Sequence, residues 1–63
     1  MRNRVEEFRK NLGWNQTYLG KLVGISQQEI SFVENGERIT SVEIAIKLSR
    51  IFGTTVEELF IVD

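Results

Sequence analysis

Residues 16–35, QTYLGKLVGISQQEISFVEN, constrain the fold more than any other part of the chain. A glycine divides this stretch into two apolar patterns, and spacings of three or four residues stack side chains on one face of a helix. The stacked pairs are Leu19 with Val23 and Ile30 with Val33. The stretch therefore predicts two short helices joined by a tight turn.

The turn itself has clear stop and start signals. Gly24 lies where the first helix has to end, because a positive φ costs little only for glycine. Ser26 places an oxygen at the start of the second helix, and Glu29 three residues later completes a capping-box pattern. The two helices should cross steeply and leave one face of the second exposed. That face carries Gln27, Gln28, Ser31 and Phe32.

This stretch resembles the helix-turn-helix of the phage repressor and Cro family, also called the XRE family. The family pattern has Gln first, a small residue fifth, Gly ninth, and apolar residues at places four, eight, ten, fifteen and eighteen. The matching residues are Gln16, Leu19, Gly20, Val23, Gly24, Ile25, Ile30 and Val33. Gly20 departs from the more usual Ala, at a cost of about 1 kcal/mol in a helix interior. The resemblance implies an all-α, compact five-helix lambda-repressor-like DNA-binding domain over residues 1–63.

Composition excludes several classes of function. A chain of 63 residues fits one small domain, and it contains no Cys and no His. Disulfides, ordinary zinc sites and the commonest general base are therefore absent. We expect no catalytic residue, metal, cofactor or small-molecule ligand, and no enzyme activity. The chain has no apolar run long enough to span a bilayer and no signal-peptide pattern, which predicts a cytoplasmic protein with no membrane partner.

The charge balance is unusual for a nucleic-acid binder, because the net charge is −1. The charges are nevertheless segregated along the chain. Residues 1–28 carry five basic and two acidic side chains, for +3, and residues 29–63 carry three basic and seven acidic ones, for −4. A DNA duplex responds to the local face more than to the total. The alternative interpretation, without a functional role, is two solvated faces of opposite charge.

Three further helices are predicted around this motif. Residues 3–12 give a first helix with an apolar stripe that ends at Leu12, and residues 41–52 give a fourth helix after a capping pattern at Thr40–Glu43. A short fifth helix follows a third capping box, Thr55–Glu58. Val42 is expected on the buried face of the fourth helix. The only strand signal, residues 60–62, is too short to count.

The aromatic residue between the first two helices has two interpretations. Trp14 follows Gly13, and Asn15 is placed to cap the second helix. We favour Trp14 as an anchor for the core, since a short turn here has a core to cover. Stacking on a nucleobase is the alternative.

The resemblance assigns base reading to the recognition helix, about Gln27–Asn35, which enters the major groove with its early residues at the base edges. Gln27 and Gln28 are the predicted readers, because glutamine offers a donor and an acceptor together to adenine. Ser31 reaches a base or a phosphate. Phe32 either contacts a thymine methyl or is covered by the neighbouring loop.

Phosphate contacts are expected at both ends of the motif, from Gln16, Asn35 and Arg38. Arg9 alone reads as a solvated side chain with its stem over the core. The resemblance implies instead an ion pair with Glu34, which ties the first helix to the recognition helix and holds a guanidinium near a phosphate.

These features predict a sequence-specific regulator of transcription that binds double-stranded DNA as a homodimer on a palindromic operator. A short chain has a thin core of its own, and one recognition helix reads few base pairs. Surplus apolar residues on the fourth helix and the tail either fill the core or form the dimer interface. They are Ile44, Ile51, Phe60, Ile61 and Val62. The alternative function is a protein-interaction module, antitoxin-like or a regulatory partner, that keeps the fold without strong DNA binding.

Overall fold

Five helices surround one apolar cluster in the computed structural model, which describes residues 2–37 and 40–61. In chain order the described elements are β1 (Arg2–Asn3), α1 (Val5–Asn11), α2 (Gln16–Val23), α3 (Gln27–Glu34), α4 (Val42–Phe52), α5 (Val56–Leu59) and β2 (Phe60–Ile61). The predicted all-α, five-helix fold class is confirmed, and a short two-stranded sheet is added to it.

Side-chain caps define the starts of four helices. In each case a side-chain oxygen accepts the backbone N–H three residues later, at 2.8–3.2 Å. Such a bond satisfies one of the N–H groups that a helix start leaves without a partner. The fourth helix is capped by Ser41, so the pattern that began at Thr40 was placed one residue too early. The four caps are Asn15, Ser26, Ser41 and Thr55.

The turn between α2 and α3 is tight because two glycines allow it. Gly24 has a φ of +83°, as the sequence predicted, and its N–H and that of Ile25 both donate to the carbonyl oxygen of Gly20, at 2.8 and 2.9 Å. A Cβ on Gly20 would lie 2.5 Å from the carbonyl oxygen of Ile25. Gly20 therefore lowers the helix propensity of α2 but is needed at this position, because the absence of a side chain lets the turn approach the helix.

Every helix contributes to the core. The buried cluster consists of Val5, Leu19, Val23, Ile30, Val33, Leu48 and Leu59. Trp14 packs against this cluster, with its ring centroid 5.3 Å from that of Tyr18 and 6.2 Å from that of Phe52. The interpretation of Trp14 as a core anchor is thus confirmed. Because α2 and α3 bury adjoining apolar faces in one cluster, packing fixes their relative position.

Two predicted core residues lie at helix ends and are exposed. Leu12 is the C-terminal cap of α1 and is 49 % exposed. Val42 is the first residue of α4 and is 77 % exposed, whereas Ala45, Leu48 and Ser49 are buried. Both predictions were wrong, since helical spacing aligns these residues with the buried face but the core does not extend to the helix end.

The chain ends pair in a sheet that sequence patterns did not predict. Asn3 lies opposite Phe60 and Arg2 opposite Ile61 in an antiparallel register. The prediction that residues 60–62 are too short to form a strand was wrong for Phe60 and Ile61, and Val62 lies outside the described residues. Two-residue strands carry no periodic signal, and their pairing depends on the tertiary fold.

Asn3 also links this sheet to α3. Its amide nitrogen donates to the carbonyl oxygen of Val33 at 2.7 Å, and its Oδ1 accepts the N–H of Val5 at 3.0 Å. The side chain therefore connects the start of α1 with the last turn of α3. Within the described residues, no helix is long and apolar enough to cross a bilayer.

Candidate nucleic-acid interface

The outer face of α3 presents the four residues predicted to read bases. The opposite face of this helix is anchored by Ile30 and Val33, which are buried. Gln27 and Gln28, in the first turn, are exposed. Ser31 and Phe32, one turn later, are half-buried. On this face, the first turn of α3 is therefore more exposed than the turn that follows.

The C-terminal end of α3 closes in a double hydrogen-bonded turn. Gly36 has a φ of +72°, and its N–H donates to the carbonyl oxygen of Val33 at 3.0 Å. The N–H of Glu37 donates to the carbonyl oxygen of Phe32, also at 3.0 Å. This pair of bonds is the Schellman arrangement, which satisfies terminal carbonyls. Asn35 is exposed at this end, and Arg38 lies outside the described residues.

A bidentate ion pair joins α1 to α3 beneath this face. Arg9 Nε donates to Glu34 Oε2 at 2.7 Å, and Arg9 Nη2 donates to Glu34 Oε1 at 3.2 Å. The two side chains are 10 % and 1 % exposed. Hydrogen bonding to Glu34 holds the pKa of the Arg9 guanidinium above its ordinary value, against the opposing effect of burial. Arg9 therefore stays charged wherever the domain is folded.

The other donors of Arg9 also bond within the protein. Its Nη1 donates to the carbonyl oxygen of Trp14 at 2.8 Å, and Glu6 lies 3.9 Å from Nη2. All three guanidinium nitrogens thus have protein acceptors. The family resemblance implies that Arg9 serves both Glu34 and a phosphate, and the geometry supports the pairing with Glu34 more strongly.

Two glutamines extend this network to the surface. Gln16 Nε2 donates to Glu34 Oε1 at 2.9 Å, and Gln27 Nε2 donates to Gln16 Oε1 at 2.6 Å. A continuous series of hydrogen bonds therefore runs from the carbonyl of Trp14 through Arg9, Glu34 and Gln16 to Gln27. The sequence predicts separate roles for Gln16 and Gln27 and gives no prediction of the hydrogen bond between them. The spacing of Gln16 and Gln27 at the first positions of α2 and α3 was the available signal.

The residues predicted for a dimer interface are partly used by the core. Ile44, Ile51 and Phe60 pack against the buried cluster and are half-buried, and Ile61 is half-buried in β2. Apolar surface also occurs outside the predicted dimer set. On α4, Val42 and Ile46 are four residues apart and are 77 % and 38 % exposed. The described part of α4 therefore has an apolar outer side, defined by Val42 and Ile46.

The sequence matches one family model and several related proteins along most of its length. A family model described as Helix-turn-helix matches residues 5–59. An uncharacterized HTH-type transcriptional regulator of Archaeoglobus fulgidus is 41 % identical over 63 residues, which cover 100 % of this chain and 90 % of that protein. The uncharacterized HTH-type transcriptional regulator YgzD of Bacillus subtilis is 33 % identical over 60 residues, covering 95 % and 91 % of the two chains.

A solved structure has the same fold. The P22 c2 repressor protein, in a crystal structure with the synthetic operator 9T in the presence of Tl⁺, superposes with a TM-score of 0.87 and 33 % identity. The match covers 95 % of this chain and 91 % of that one. Together with the geometry of α2, the glycine turn and α3, these matches show that the chain belongs to the helix-turn-helix family of phage repressor and Cro-like DNA-binding regulators.

Proposed function

We propose that the chain is a sequence-specific regulator of transcription that inserts α3 into the major groove of double-stranded DNA. The observation that carries this proposal is the exposure of Gln27 and Gln28 in the first turn of a helix whose opposite face is buried. The similarity to a repressor solved with its operator adds support. The protein then acts in the cytoplasm.

The two exposed glutamines have the chemistry needed for base reading. An amide can donate to N7 and accept from N6 of adenine at the same time. Gln27 uses one hydrogen of Nε2 for Gln16, which leaves the second hydrogen for a base. Gln28 has no such bond described, and its exposed side chain supplies the second reader. Ser31 and Phe32 lie one turn further along and contact bases at the edge of the same site.

Phosphate contacts flank this reading surface. Gln16 is the first residue of α2 and Asn35 caps the end of α3, so the two lie at opposite ends of the motif. Backbone N–H groups at the start of α2 add to the attraction for a phosphate. Arg38, three residues after Asn35 in the sequence, is the proposed charged phosphate contact. Arg9 contributes mainly by holding Glu34 and, through it, the position of α3.

A palindromic operator and a homodimer complete the proposal. One α3 reads only a few base pairs, which is too little for tight specific binding. A two-fold dimer places two such helices about 34 Å apart, one turn of DNA. The proposed interface comprises the exposed parts of Ile44, Ile51, Phe60 and Ile61, together with Val62, which lies outside the described residues. Half-burial of the described members means that each supports the monomer and offers its remaining surface to a partner.

A protein-interaction module is the second candidate function, and the charge balance favours it. The net charge of −1 and the excess of seven acidic over three basic residues in 29–63 weaken non-specific attraction to DNA. The chain is not an enzyme, because its family consists of DNA-binding regulators. The choice therefore lies between a DNA partner and a protein partner for the same α3 surface.

Selection from a random DNA library, followed by gel shift at low and moderate salt, separates these two functions. We expect an enriched palindromic sequence whose complex survives moderate salt. Replacing Gln27 and Gln28 together by Ala should abolish the enrichment. Asn11→Ala, an exposed polar residue at the end of α1, is the matched control and should leave the selected sequence unchanged. Absence of a complex with any library member at low salt would refute the DNA-binding function.

A further inference from the structure

We propose that Glu34 is a positioning residue for sequence specificity, because it sets through Gln16 the direction in which the Gln27 amide faces a base. This proposal rests on the proposed DNA-reading function. Glu34 itself does not reach the surface, since its side chain is 1 % exposed. Its effect on DNA therefore has to be transmitted by hydrogen bonds.

The direction follows from what each group can donate or accept. A carboxylate only accepts hydrogen bonds, so Gln16 has to turn its nitrogen towards Glu34 and its oxygen outward. That oxygen in turn only accepts, so Gln27 has to turn its nitrogen towards Gln16 and its own oxygen away. Reversing either amide would set two acceptors against each other. The order of donor and acceptor on Gln27 is thus fixed from inside the protein.

This order matters because the two ends of an amide are nearly identical in shape but opposite in polarity. Gln27 is exposed, and an unrestrained exposed amide can rotate about its last bond. Adenine presents an acceptor and a donor in one order, so only one orientation of the amide pairs with both. A fixed orientation rejects bases that present the reverse order. It also removes part of the ordering that binding would otherwise require.

The other end of the series is equally constrained. Arg9 donates to both oxygens of Glu34 and also to the carbonyl oxygen of Trp14. A planar guanidinium with two acceptors on one side and a backbone carbonyl on another has one position. The carboxylate is therefore held in place, and Gln16 meets an acceptor of fixed position.

Glu34→Gln tests the proposal because it keeps the size of the side chain but supplies both a donor and an acceptor. The new amide can present either its oxygen or its nitrogen to Gln16, because each of its two orientations sets the nitrogen opposite one Arg9 donor. Gln16, and through it Gln27, is then no longer restricted to one orientation. We expect discrimination at the base pair read by Gln27, measured as the ratio of dissociation constants for the selected and the substituted operator, to fall about tenfold.

Two further variants distinguish positioning from loss of stability. Val5→Ala weakens the core without touching the series, and it should leave the discrimination ratio unchanged at a temperature where both variants are folded. Gln16→Met keeps the Arg9–Glu34 pair but interrupts the series, and it should lower the ratio as Glu34→Gln does. Gln16→Met therefore tests the positioning role even if the Glu34→Gln variant does not fold.

The background variant Gln27→Ala completes the test. In that background, Glu34→Gln should cause no further change in the ratio at this base pair, because the reader is already absent. An unchanged ratio in both Glu34→Gln and Gln16→Met, with the parent protein discriminating, would overturn the positioning role and leave the DNA-reading function standing. A parent protein without preference at any base pair would overturn the proposed function and the positioning role together.

Discussion

The Arg9–Glu34 pair should contribute a large coupling energy to folding, and a double-mutant cycle with Arg9→Met and Glu34→Gln measures it. Both side chains are at least nine-tenths buried, and two hydrogen bonds of 2.7 and 3.2 Å join them. The pair also links α1 to α3 across a sequence separation of 25 residues. The free energy of unfolding that is lost with either partner therefore comes from the contact between these two helices.

The magnitude follows from what each single variant leaves behind. Removing one partner of a buried pair costs about 3–5 kcal/mol, because the other charge stays buried without compensation. Arg9→Met leaves Glu34 with the amide of Gln16. Glu34→Gln leaves Arg9 with the carbonyl of Trp14 and with Glu6 at 3.9 Å, so its cost lies near the lower limit.

The double variant should cost less than the sum of the single ones. It contains no buried charge, and its loss is that of the charge-assisted hydrogen bonds to Trp14 and Gln16, about 1.5–2.5 kcal/mol each. The two single variants together lose about 6–8 kcal/mol of the free energy of unfolding, and the double variant loses about 3–5 kcal/mol. The difference is a coupling energy of about 3 kcal/mol. This value is at the upper end of the range for residues in contact.

Urea unfolding followed by circular dichroism is the appropriate assay. A domain of this length has a free energy of unfolding of about 3–9 kcal/mol, so all four proteins should be compared in a stabilising osmolyte. The exposed pair of Arg4 and Glu7, with side chains 39 % and 55 % exposed, is the matched control and should show a much smaller coupling. A coupling for Arg9 and Glu34 no larger than that of the control pair would refute the reasoning.

Three further predictions concern the interface, the turn and the assembly. Gln28→Ala should weaken binding to the selected operator by about 1–3 kcal/mol and relax the preference at one base pair. Asn35→Ala should instead weaken binding to all sequences evenly. Equal losses of affinity on operator and random DNA for both variants would contradict this division of roles. Gly24→Ala should lower the free energy of unfolding by about 1–2 kcal/mol, because its φ of +83° is strained for any residue with a Cβ, and thermal melting that shows no loss would contradict it. Ile51→Glu should give a helical monomer with reduced affinity for a palindromic site. Val42→Glu is the control for the effect of an added charge on α4. Light scattering that finds the parent protein monomeric at tens of micromolar, with or without operator, would exclude the dimer.

Local signals in the sequence predicted the helix-turn-helix and most helix ends. Gly24, Ser26 and Thr55 act within a few residues of their own position, so their roles follow from backbone preference and capping chemistry alone. Helical spacing likewise identified the buried faces of α2 and α3. The predictions for Leu12 and Val42 failed because spacing gives the direction of a side chain but not how far the core extends along the helix axis.

The features that the sequence did not predict depend on residues far apart in the chain. The β1–β2 pairing joins residues 2–3 to residues 60–61, and two-residue strands have no pattern of their own. The contact of Asn3 with the carbonyl of Val33 spans 30 residues. The hydrogen bonds of Gln16 to Glu34 and Gln27 become visible only once α2 and α3 are packed. Residue type predicted the candidates, and packing determines which of them act together.

Binding to DNA should depend only weakly on salt for a protein with this arrangement of charge. Gln16 and Asn35 are uncharged, and Arg9 is already paired with Glu34, so among the four proposed phosphate contacts Arg38 contributes the remaining positive charge. Each neutralised phosphate contributes about −0.9 to the slope of log K against log salt, which predicts a slope of about −1 per bound protomer.

Titration over a range of salt concentrations, with the stoichiometry of the complex known, measures this slope directly. Arg38→Ala should bring it close to zero, because removing one charged phosphate contact lowers the slope by about 1. Lys47→Ala is the matched control, since Lys47 lies on α4 and pairs with Glu43 at 3.2 Å, and it should leave the slope unchanged. A parent slope steeper than about −2 per protomer would mean that cations outside the candidate set contact the backbone. The segregated positive charge of residues 1–28 would then carry the affinity, and the neutral ends of the motif would have only a positioning role.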